Sequence, residues 1–334
     1  MLDRRQALLA PLALGVAARL SAQTAPPSVP GAPPPVLPEP ADTLDLWPHG
    51  APGMPLHPPV ETVEDRSTDA GVPDRSVRGI RQPRLVVFRP ASPNGSAALV
   101  TPGGGYQRIV IDKEGYELGR WLAARGWTAF VLFYRLPGEG WEAGPDVALA
   151  DAQRAMRIIR SRAQGYGLRP DRVAAIGFSA GGHLCGDLAT RFDARIYAPI
   201  DAADRLSARP DVAAPIYAVQ SMRLPLAHAG SRALLIGTDA SPALEATHST
   251  ARNVSAATPP CFLVHAEDDA TVNVENSLEF RAALKRAGVP VETHLFARGG
   301  HGFGIDGAAG KPVAQWPALF AAWARSHGLG SDQS

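Results

Sequence analysis

The sequence has few cysteines, almost no net charge and no apolar run long enough to cross a membrane. Two cysteines in 334 residues cannot form a disulfide framework or a multi-cysteine zinc site. The formal net charge is +1, so the chain lacks the basic excess typical of nucleic-acid binding. The apolar stretch at residues 7–20 is shorter than the roughly 20 residues of a membrane-spanning helix. We therefore expect neither a nucleic-acid partner nor a membrane span in the mature protein.

The first 24 residues have the layout of a secretory signal. Arg4 and Arg5 precede the apolar stretch, and Ser21 and Ala22 supply the small residues at which a signal peptidase cuts. The arginine pair also loosely resembles a twin-arginine signal. We predict a signal peptide over residues 1–24 and a periplasmic or extracellular location by Sec or twin-arginine export. The alternative is a buried N-terminal helix.

Proline is present in excess, and the excess lies near the N-terminus. Thirteen of the 32 prolines lie between Pro26 and Pro59. Proline has no amide N–H and favours extended geometry, so such a stretch cannot pack as a sheet or a helix. We predict a linker over residues 25–42, an irregular approach over 43–82 and one catalytic domain over 43–330.

The remaining residues alternate short apolar runs with helical stripes, which predicts an α/β fold. Near-continuous apolar runs are typical of parallel strands covered on both faces. The stripe of Trp316, Phe320 and Trp323 has helical spacing and is interpreted as core packing. We predict a mostly parallel central sheet with helices on both faces. The predicted strands cover residues 85–88, 97–101, 128–134, 173–177, 212–218, 261–265 and 291–296.

The pentapeptide GFSAG at residues 177–181 is the strongest chemical signal. It directly follows an apolar strand and precedes a helical run, which is where a serine nucleophile stands on a sharp turn. Gly177 and Gly181 leave room for the chain to cross itself there. The helix N-terminus supplies backbone donors. We predict that Ser179 is a nucleophile, with an ordinary glycine-rich turn as the alternative.

A serine nucleophile needs a base, and His301 is the candidate among nine histidines. In this type of fold the base follows the last strand, and His301 lies in a glycine-rich loop directly after residues 291–296. His183 lies on the helix that follows Ser179 and is interpreted as structural. We predict that His301 takes the proton of Ser179.

An acid and an oxyanion hole complete such a site. Three carboxylates, Glu267, Asp268 and Asp269, follow the strand at 261–265, where ligand sites of parallel sheets occur. Residues that do not serve as the acid would lie at a solvated loop tip or cap the next helix. The loop PGGGY at 102–106 can present backbone N–H groups to an oxyanion, and the N–H of Ala180 is a second source.

These segments resemble the α/β-hydrolase superfamily, and within it the secreted esterase/lipase-like group. That group is related to acetylxylan and feruloyl esterases and to dienelactone-hydrolase-like proteins, and some of its members are called xylanases. The resemblance covers about residues 43–328. It is carried by residues 102–106, 133–137, 177–183, 262–266 and 299–303.

The resemblance selects residues that the local patterns leave open. The family's acid begins a D-x-x-V-P turn, a register that Asp269 fits and Asp268 does not, although Asn273 replaces the proline. Pro102 stands where lipase-type members carry histidine. The resemblance therefore implies that Gly104 and Gly105 are the oxyanion donors.

The expected function is a secreted serine carboxylesterase that removes short, acetyl-type acyl groups. The expected substrate is a small ester or an acylated carbohydrate such as a plant polysaccharide, and no cofactor or metal is expected. Cleavage of a polysaccharide backbone is not expected, because glycoside hydrolysis uses two carboxylates. The alternatives are a peptidase of the prolyl-oligopeptidase type and a non-catalytic binding protein.

The segment between Val219 and Thr258 is expected to shape the pocket, with Met222, Leu224 and Leu226 as lining or as core. Cys185 and Cys261 are expected to be buried and unpaired.

Overall fold

The computed structural model describes residues 40–68 and 72–330. These residues all belong to one compact unit, Leu37–Ser334. The predicted signal peptide and residues 25–39 of the predicted linker lie outside the described residues, so export stays a prediction. Within the described ranges, each helix is too short or too polar to span a bilayer.

An eight-stranded sheet forms the centre of the molecule. The strands of the described chain are β1 Pro40–Asp45, β2 Thr62–Asp65, β3 Arg75–Arg78, β4 Arg84–Phe88, β5 Ala97–Thr101, β6 Ile109–Val110, β7 Thr128–Phe133, β8 Val173–Phe178, β9 Val212–Ile216, β10 Cys261–Ala266 and β11 Val291–Phe296. The central sheet has the order β1-β4-β7-β5-β8-β9-β10-β11, and β2, β3 and β6 form a second, small sheet. Strands β1, β4 and β7 pair antiparallel, whereas all later pairs are parallel. The predicted mostly parallel sheet is confirmed.

All seven predicted strands are present, and most of them are buried. Every residue of β5, β7, β8, β9 and β10 is buried. A strand covered on both faces must be apolar throughout, which produces the continuous runs seen in the sequence. The edge strand β11 is only half-buried.

The prediction of an irregular approach at residues 43–82 is wrong. That segment contains most of β1 and all of β2 and β3. Strand β1 begins at Pro40, inside the predicted linker, and pairs only with β4 at the edge of the sheet. An edge position accepts proline because one side of the strand needs no amide donor. Strand β2 is exposed at every residue, so no apolar pattern marks it in the sequence.

Seven α-helices lie in the described residues. They are α1 Glu117–Ala123, α2 Val147–Ser161, α3 Ser179–Thr190, α4 Ala229–Ile236, α5 Pro242–Thr247, α6 Glu275–Arg286 and α7 Trp316–Ser326. Two of them, α4 and α5, fall in the segment between Val219 and Thr258, where no helix was predicted. Trp316, Phe320 and Trp323 of α7 are buried in the main core. The prediction that this aromatic stripe packs in the core is therefore confirmed.

A buried ion pair joins the N-terminal segment to the sheet. Arg135 follows β7 and is 1% exposed, and its Nη2 lies 2.7 Å from Oδ1 of the fully buried Asp151 on α2. Asp151 also accepts the indole N–H of Trp47 at 2.7 Å, and Arg135 donates to the Pro52 carbonyl at 2.7 Å. One charge pair therefore holds residues near 47 and 52 against β7 and α2.

Replacing Asp151 with alanine should destabilise the protein by about 3–5 kcal/mol, because it leaves the Arg135 guanidinium buried and unpaired. Urea unfolding followed by circular dichroism measures this loss. The control is Asp171→Ala, which breaks the pair of Arg169 and Asp171, both more than half exposed. An exposed pair contributes little. Equal losses in the two variants would contradict the anchoring role of Asp151.

Candidate active site

Ser179 stands on a sharp turn between β8 and α3. Its φ is +52°, a left-handed conformation that a non-glycine residue rarely adopts. A side chain at Gly181 would collide with the Thr101 and Pro102 carbonyl oxygens, so only glycine allows the two backbones to meet. The turn places the Ser179 hydroxyl at the carboxyl end of the parallel strands, where ligand sites of such sheets lie.

The structure brings Ser179, His301 and Asp269 together in one hydrogen-bonded chain. The His301 Nε2 lies 2.8 Å from Ser179 Oγ, and its Nδ1 lies 2.7 Å from Asp269 Oδ2. A carboxylate accepts only, so Nδ1 carries a proton and the Nε2 lone pair faces the serine hydroxyl. The Asp269 side chain is fully buried, whereas that of His301 is 18% exposed. This arrangement can remove a proton from Ser179.

The three candidate carboxylates occupy different positions. Asp269 Oδ1 accepts the amide N–H groups of Thr271 at 2.9 Å and Val272 at 2.8 Å, which gives the D-x-x-V register a physical cause. Asp268 is exposed at the loop tip, but its Oδ1 also accepts the N–H groups of Gly299 and Gly300, each at 2.8 Å. It therefore holds the loop that carries His301. Glu267 is exposed.

A second histidine contacts the acid and was missed from the sequence. The His265 Nε2 lies 3.2 Å from Asp269 Oδ2 and 2.9 Å from the Val272 carbonyl oxygen. Both neighbours are acceptors, so Nε2 carries a proton. Burial raises the pKa of Asp269, but the hydrogen bonds from His265 and His301 outweigh it and hold that pKa well below its usual range. Asp269 is therefore ionised at neutral pH. Its spacing of four residues from His265 was the only sequence signal.

The loop after β5 has free amide groups next to Ser179. Gly104 and Gly105 have φ of +131° and +68°, and both are partly exposed. Their N–H groups, and that of Ala180 in the first turn of α3, have no acceptor among the described residues. Unpaired donors at a helix start and in a glycine loop can receive developing negative charge. All three amides assigned from the sequence therefore have the freedom that an oxyanion hole needs.

Buried side chains hold this loop rigid. Tyr134 donates to the Pro102 carbonyl at 2.7 Å, and the Tyr106 hydroxyl lies 2.7 Å from His183 Nδ1. The other ring nitrogen of His183 lies 2.7 Å from the His248 carbonyl oxygen. Burial lowers the pKa of His183 to about 4, so its ring is neutral at pH 7. The structural role expected for His183 is consistent with these contacts.

The segment between Val219 and Thr258 contributes α4 and α5, and α4 lies beside this loop. Ser231 Oγ lies 3.9 Å from the position that a Cβ on Gly105 would take, and His228 caps α4 through the Ser231 amide. Burial and the charge of His301 both lower the pKa of His228. Met222 is fully buried in the core, whereas Leu224 is 53% exposed. Of the suggested lining residues, Met222 therefore packs as core.

The two cysteines are held in an unreactive form. Cys185 and Cys261 are buried and unpaired, as expected, and burial raises the pKa of the Cys185 thiol to about 12. A thiol held in its neutral form is not a nucleophile at pH 7. Across residues 40–68 and 72–330, no group of three or more His, Cys, Asp or Glu side chains could hold a metal ion.

Glu117 gives the region near His301 a pH-dependent stability. It accepts the Asp306 N–H at 3.1 Å, and burial raises its pKa from 4.5 to about 7. The folded protein therefore binds the proton of the Glu117 carboxyl group more tightly than the unfolded chain does. The stability that this protonation contributes is lost as pH rises from 4.5 to about 7. Glu117→Gln should raise stability at pH 8 by about 1–2 kcal/mol after allowing for partial exposure.

The gain from Glu117→Gln should vanish near pH 4, where Glu117 is protonated in both states. Melting temperatures across pH 4–8 test this, with Glu275→Gln at the exposed start of α6 as the control. A gain that is the same at both pH limits would rule out titration of Glu117 as its cause.

The chain is similar to known proteins over most of its described length. The BD-FAE family model matches residues 93–284. An acetylxylan esterase of Xylanibacter ruminicola is 32% identical over 226 residues, which cover 66% of this chain and 44% of the relative. Endo-1,4-beta-xylanase B of Butyrivibrio fibrisolvens is 35% identical over 207 residues, which cover 62% of this chain and 32% of the relative. The chain thus spans less than half the length of each of these two curated relatives.

A solved structure is similar along its whole length. It is the crystal structure of an acetyl ester-xyloside bifunctional hydrolase from Caldicellulosiruptor lactoaceticus, with a TM-score of 0.73 and 33% sequence identity. The alignment covers 89% of this chain and 100% of that chain.

Proposed function

The chain belongs to the BD-FAE family of esterase-like α/β-hydrolases, and we propose that it is a serine carboxylesterase specific for short acyl groups. The observation that carries the proposal is the chain of hydrogen bonds from Ser179 through His301 to Asp269, at 2.8 and 2.7 Å. It lies beside three unpaired amide N–H groups. A nucleophile, a base and oxyanion donors together are suited to acyl transfer.

The first half of the proposed reaction transfers the acyl group to the enzyme. Ser179 Oγ attacks the ester carbonyl carbon while its proton moves to His301 Nε2. The carbonyl oxygen becomes an oxyanion, which the N–H groups of Gly104, Gly105 and Ala180 stabilise. His301 then gives the proton to the leaving alcohol oxygen as the C–O bond breaks. The alcohol departs and the acyl group remains on Ser179.

The second half hydrolyses the acyl-enzyme. His301 takes a proton from a water molecule, whose oxygen attacks the acyl carbon, and then returns the proton to Ser179 Oγ as the acid leaves. Asp269 holds the imidazole in the required tautomer and stabilises the imidazolium in both halves. Its second oxygen is held by the Thr271 and Val272 amides, so the carboxylate cannot rotate away.

Acetyl groups on a carbohydrate are the proposed substrate. Support comes from the names of two relatives, one an acetylxylan esterase and one an acetyl ester-xyloside hydrolase. The endo-xylanase matches this chain over only 32% of its own length. Glycoside hydrolysis needs two carboxylates flanking the scissile bond. The three side chains joined here instead include a serine and a histidine. We therefore propose deacetylation without cleavage of the polysaccharide backbone.

Removal of the nucleophile or the acid should abolish turnover of p-nitrophenyl acetate. Ser179→Ala should reduce kcat/KM to background, and Asp269→Asn should reduce kcat about 10³–10⁴-fold by disturbing the His301 tautomer. The control is Glu267→Gln, an exposed carboxylate two residues from Asp269 in the same turn, which should retain activity. Retained turnover in Ser179→Ala would exclude the proposed mechanism.

Acyl length and substrate class should separate the proposed function from its alternatives. We expect kcat/KM to fall from p-nitrophenyl acetate through the butyrate to the octanoate, and acetate to be released from acetylated xylan. We expect no turnover of p-nitrophenyl β-xyloside, because cleavage of a glycosidic bond uses two carboxylates. We also expect no peptide cleavage, and its presence would favour the peptidase alternative. Xyloside turnover that survives in Ser179→Ala would show a separate glycosidase site.

A further inference from the structure

A buried glutamate lies under the oxyanion loop and has no part in the reaction described above. Glu114 belongs to the π-helical turn Asp112–Tyr116 and is 5% exposed. Its Oε2 accepts the Gly103 amide N–H at 2.8 Å, and its Oε1 accepts the Tyr217 hydroxyl at 2.9 Å. Gly103 directly precedes Gly104 and Gly105. One carboxyl group is therefore bonded to the base of the oxyanion loop.

Tyr217 extends this contact to the loop that carries His301. Its hydroxyl accepts the Gly304 amide N–H at 3.2 Å, and its ring packs edge-on against His301 with centroids 5.0 Å apart. The same ring lies 4.4 Å from Phe303. Tyr217 follows β9 in a left-handed conformation, with φ of +36°. A non-glycine residue in this conformation is strained, and such strain is concentrated at functional sites.

Gly103 lies in close contact with both Glu114 and Ser179. A Cβ on Gly103 would lie 2.6 Å from Glu114 Oε2, 2.6 Å from the Phe178 carbonyl oxygen and 2.9 Å from Ser179 Cβ. The side chain of Glu114, the oxyanion loop and the nucleophile turn are therefore closely packed against one another. A shift of the carboxyl group must move Gly103 or the turn.

A buried carboxyl group is costly unless donors satisfy it. Burial raises the pKa of Glu114, and the nearby His301, Tyr217, Gly103 and the more distant Arg66 oppose that shift. The two donors to Glu114 are an amide and a hydroxyl, whereas another buried acid, Asp151, has an arginine partner. Its two hydrogen-bond partners instead lead to the two loops of the candidate active site. Fold stability alone gives no reason for this choice of partners.

We propose that Glu114 and Tyr217 form a positioning pair that fixes the oxyanion loop and the His301 loop relative to Ser179. This inference rests on the proposed esterase function and adds to it two residues that do not touch the reacting atoms. Glu114 sets the Gly103 peptide and hence the direction of the following N–H groups. Tyr217 sets the ring of His301 and the Gly304 amide behind it.

Two near-isosteric substitutions test the pair. Glu114→Gln keeps the size of the side chain but has one acceptor oxygen, so it satisfies only one of the two donors. Tyr217→Phe keeps the ring on His301 and removes the hydroxyl bridge. Each should lower kcat for p-nitrophenyl acetate about 10- to 100-fold and leave KM within about twofold, because misplaced donors lose transition-state contacts.

The double variant distinguishes one unit from two separate effects. If Glu114 and Tyr217 act together, Glu114→Gln/Tyr217→Phe should have a kcat close to that of the worse single variant. Multiplied losses would show that the residues act independently and would overturn the pair. Glu114→Asp, whose shorter chain cannot reach both donors, should also fail to restore kcat.

Matched controls separate positioning from general destabilisation. Glu139 accepts the Gly79 amide at 2.7 Å and lies 3.4 Å from the Trp141 indole nitrogen, a two-donor arrangement away from the triad. Tyr197 donates its hydroxyl to Asp204 at 2.7 Å. Glu139→Gln and Tyr197→Phe should keep the wild-type kcat even if their melting temperatures fall.

Activity is expressed per active site, counted by labelling with a fluorophosphonate to completion, so that unfolded protein does not contribute. Wild-type kcat per labelled site in both Glu114→Gln and Tyr217→Phe would overturn the inference. If Glu114→Gln does not fold, the kcat of Tyr217→Phe per labelled site tests the inference by itself. If the proposed esterase function itself is wrong, the wild-type protein shows no turnover that depends on Ser179. This result is distinguishable from failure of the positioning pair alone.

Discussion

The close contact between two backbones is the constraint on which the site depends. The turn at residues 177–181 meets the end of β5 so tightly that a side chain at Gly181 would strike the Thr101 and Pro102 carbonyl oxygens. Thr101 Oγ1 reinforces the contact by donating to the Gly181 carbonyl at 2.8 Å. Because β5 and β8 are adjacent parallel strands, the loop after one and the turn after the other emerge at the same edge. The nucleophile and its oxyanion donors are thereby brought together.

The polar groups around this contact are buried and paired, which keeps the site in one geometry. Tyr134, Tyr106 and Glu114 each bond the loop after β5 or fix it through a neighbour. On the other side the exposed Asp268 binds the backbone of the histidine loop. The buried hydrogen bonds of Tyr134, Tyr106 and Glu114 are costly to break. Donors held in place before substrate binds need no reorganisation during the reaction, which is the physical basis of the proposed catalysis.

Strands that are buried on both faces, and site residues that belong to local motifs, were predicted correctly from the sequence. The strands β5, β7, β8, β9 and β10 are buried throughout and leave continuous apolar runs, and all of them were predicted. Four strands of the described chain were missed. Strand β1 lies at a sheet edge and β2 is exposed, whereas β3 and β6 are only four and two residues long, too short to show an apolar pattern. Of the candidate site residues, Ser179 and His301 were found from local glycine-rich motifs. Asp269 was chosen among three neighbouring acids only through the family resemblance.

The sequence by itself determined the α/β class, the order of the main strands and the residues of the nucleophile turn, because local periodicity and glycine spacing specify them. Only the tertiary structure decided which acid meets His301 and that His265, Glu114 and Tyr217 lie around the site. Glu114 and Tyr217 are 103 positions apart in the chain, and no local pattern links them. Their contact exists because the sheet order places the carboxyl ends of β5, β8 and β9 side by side. Contacts of this range arise from packing, which a linear sequence does not display.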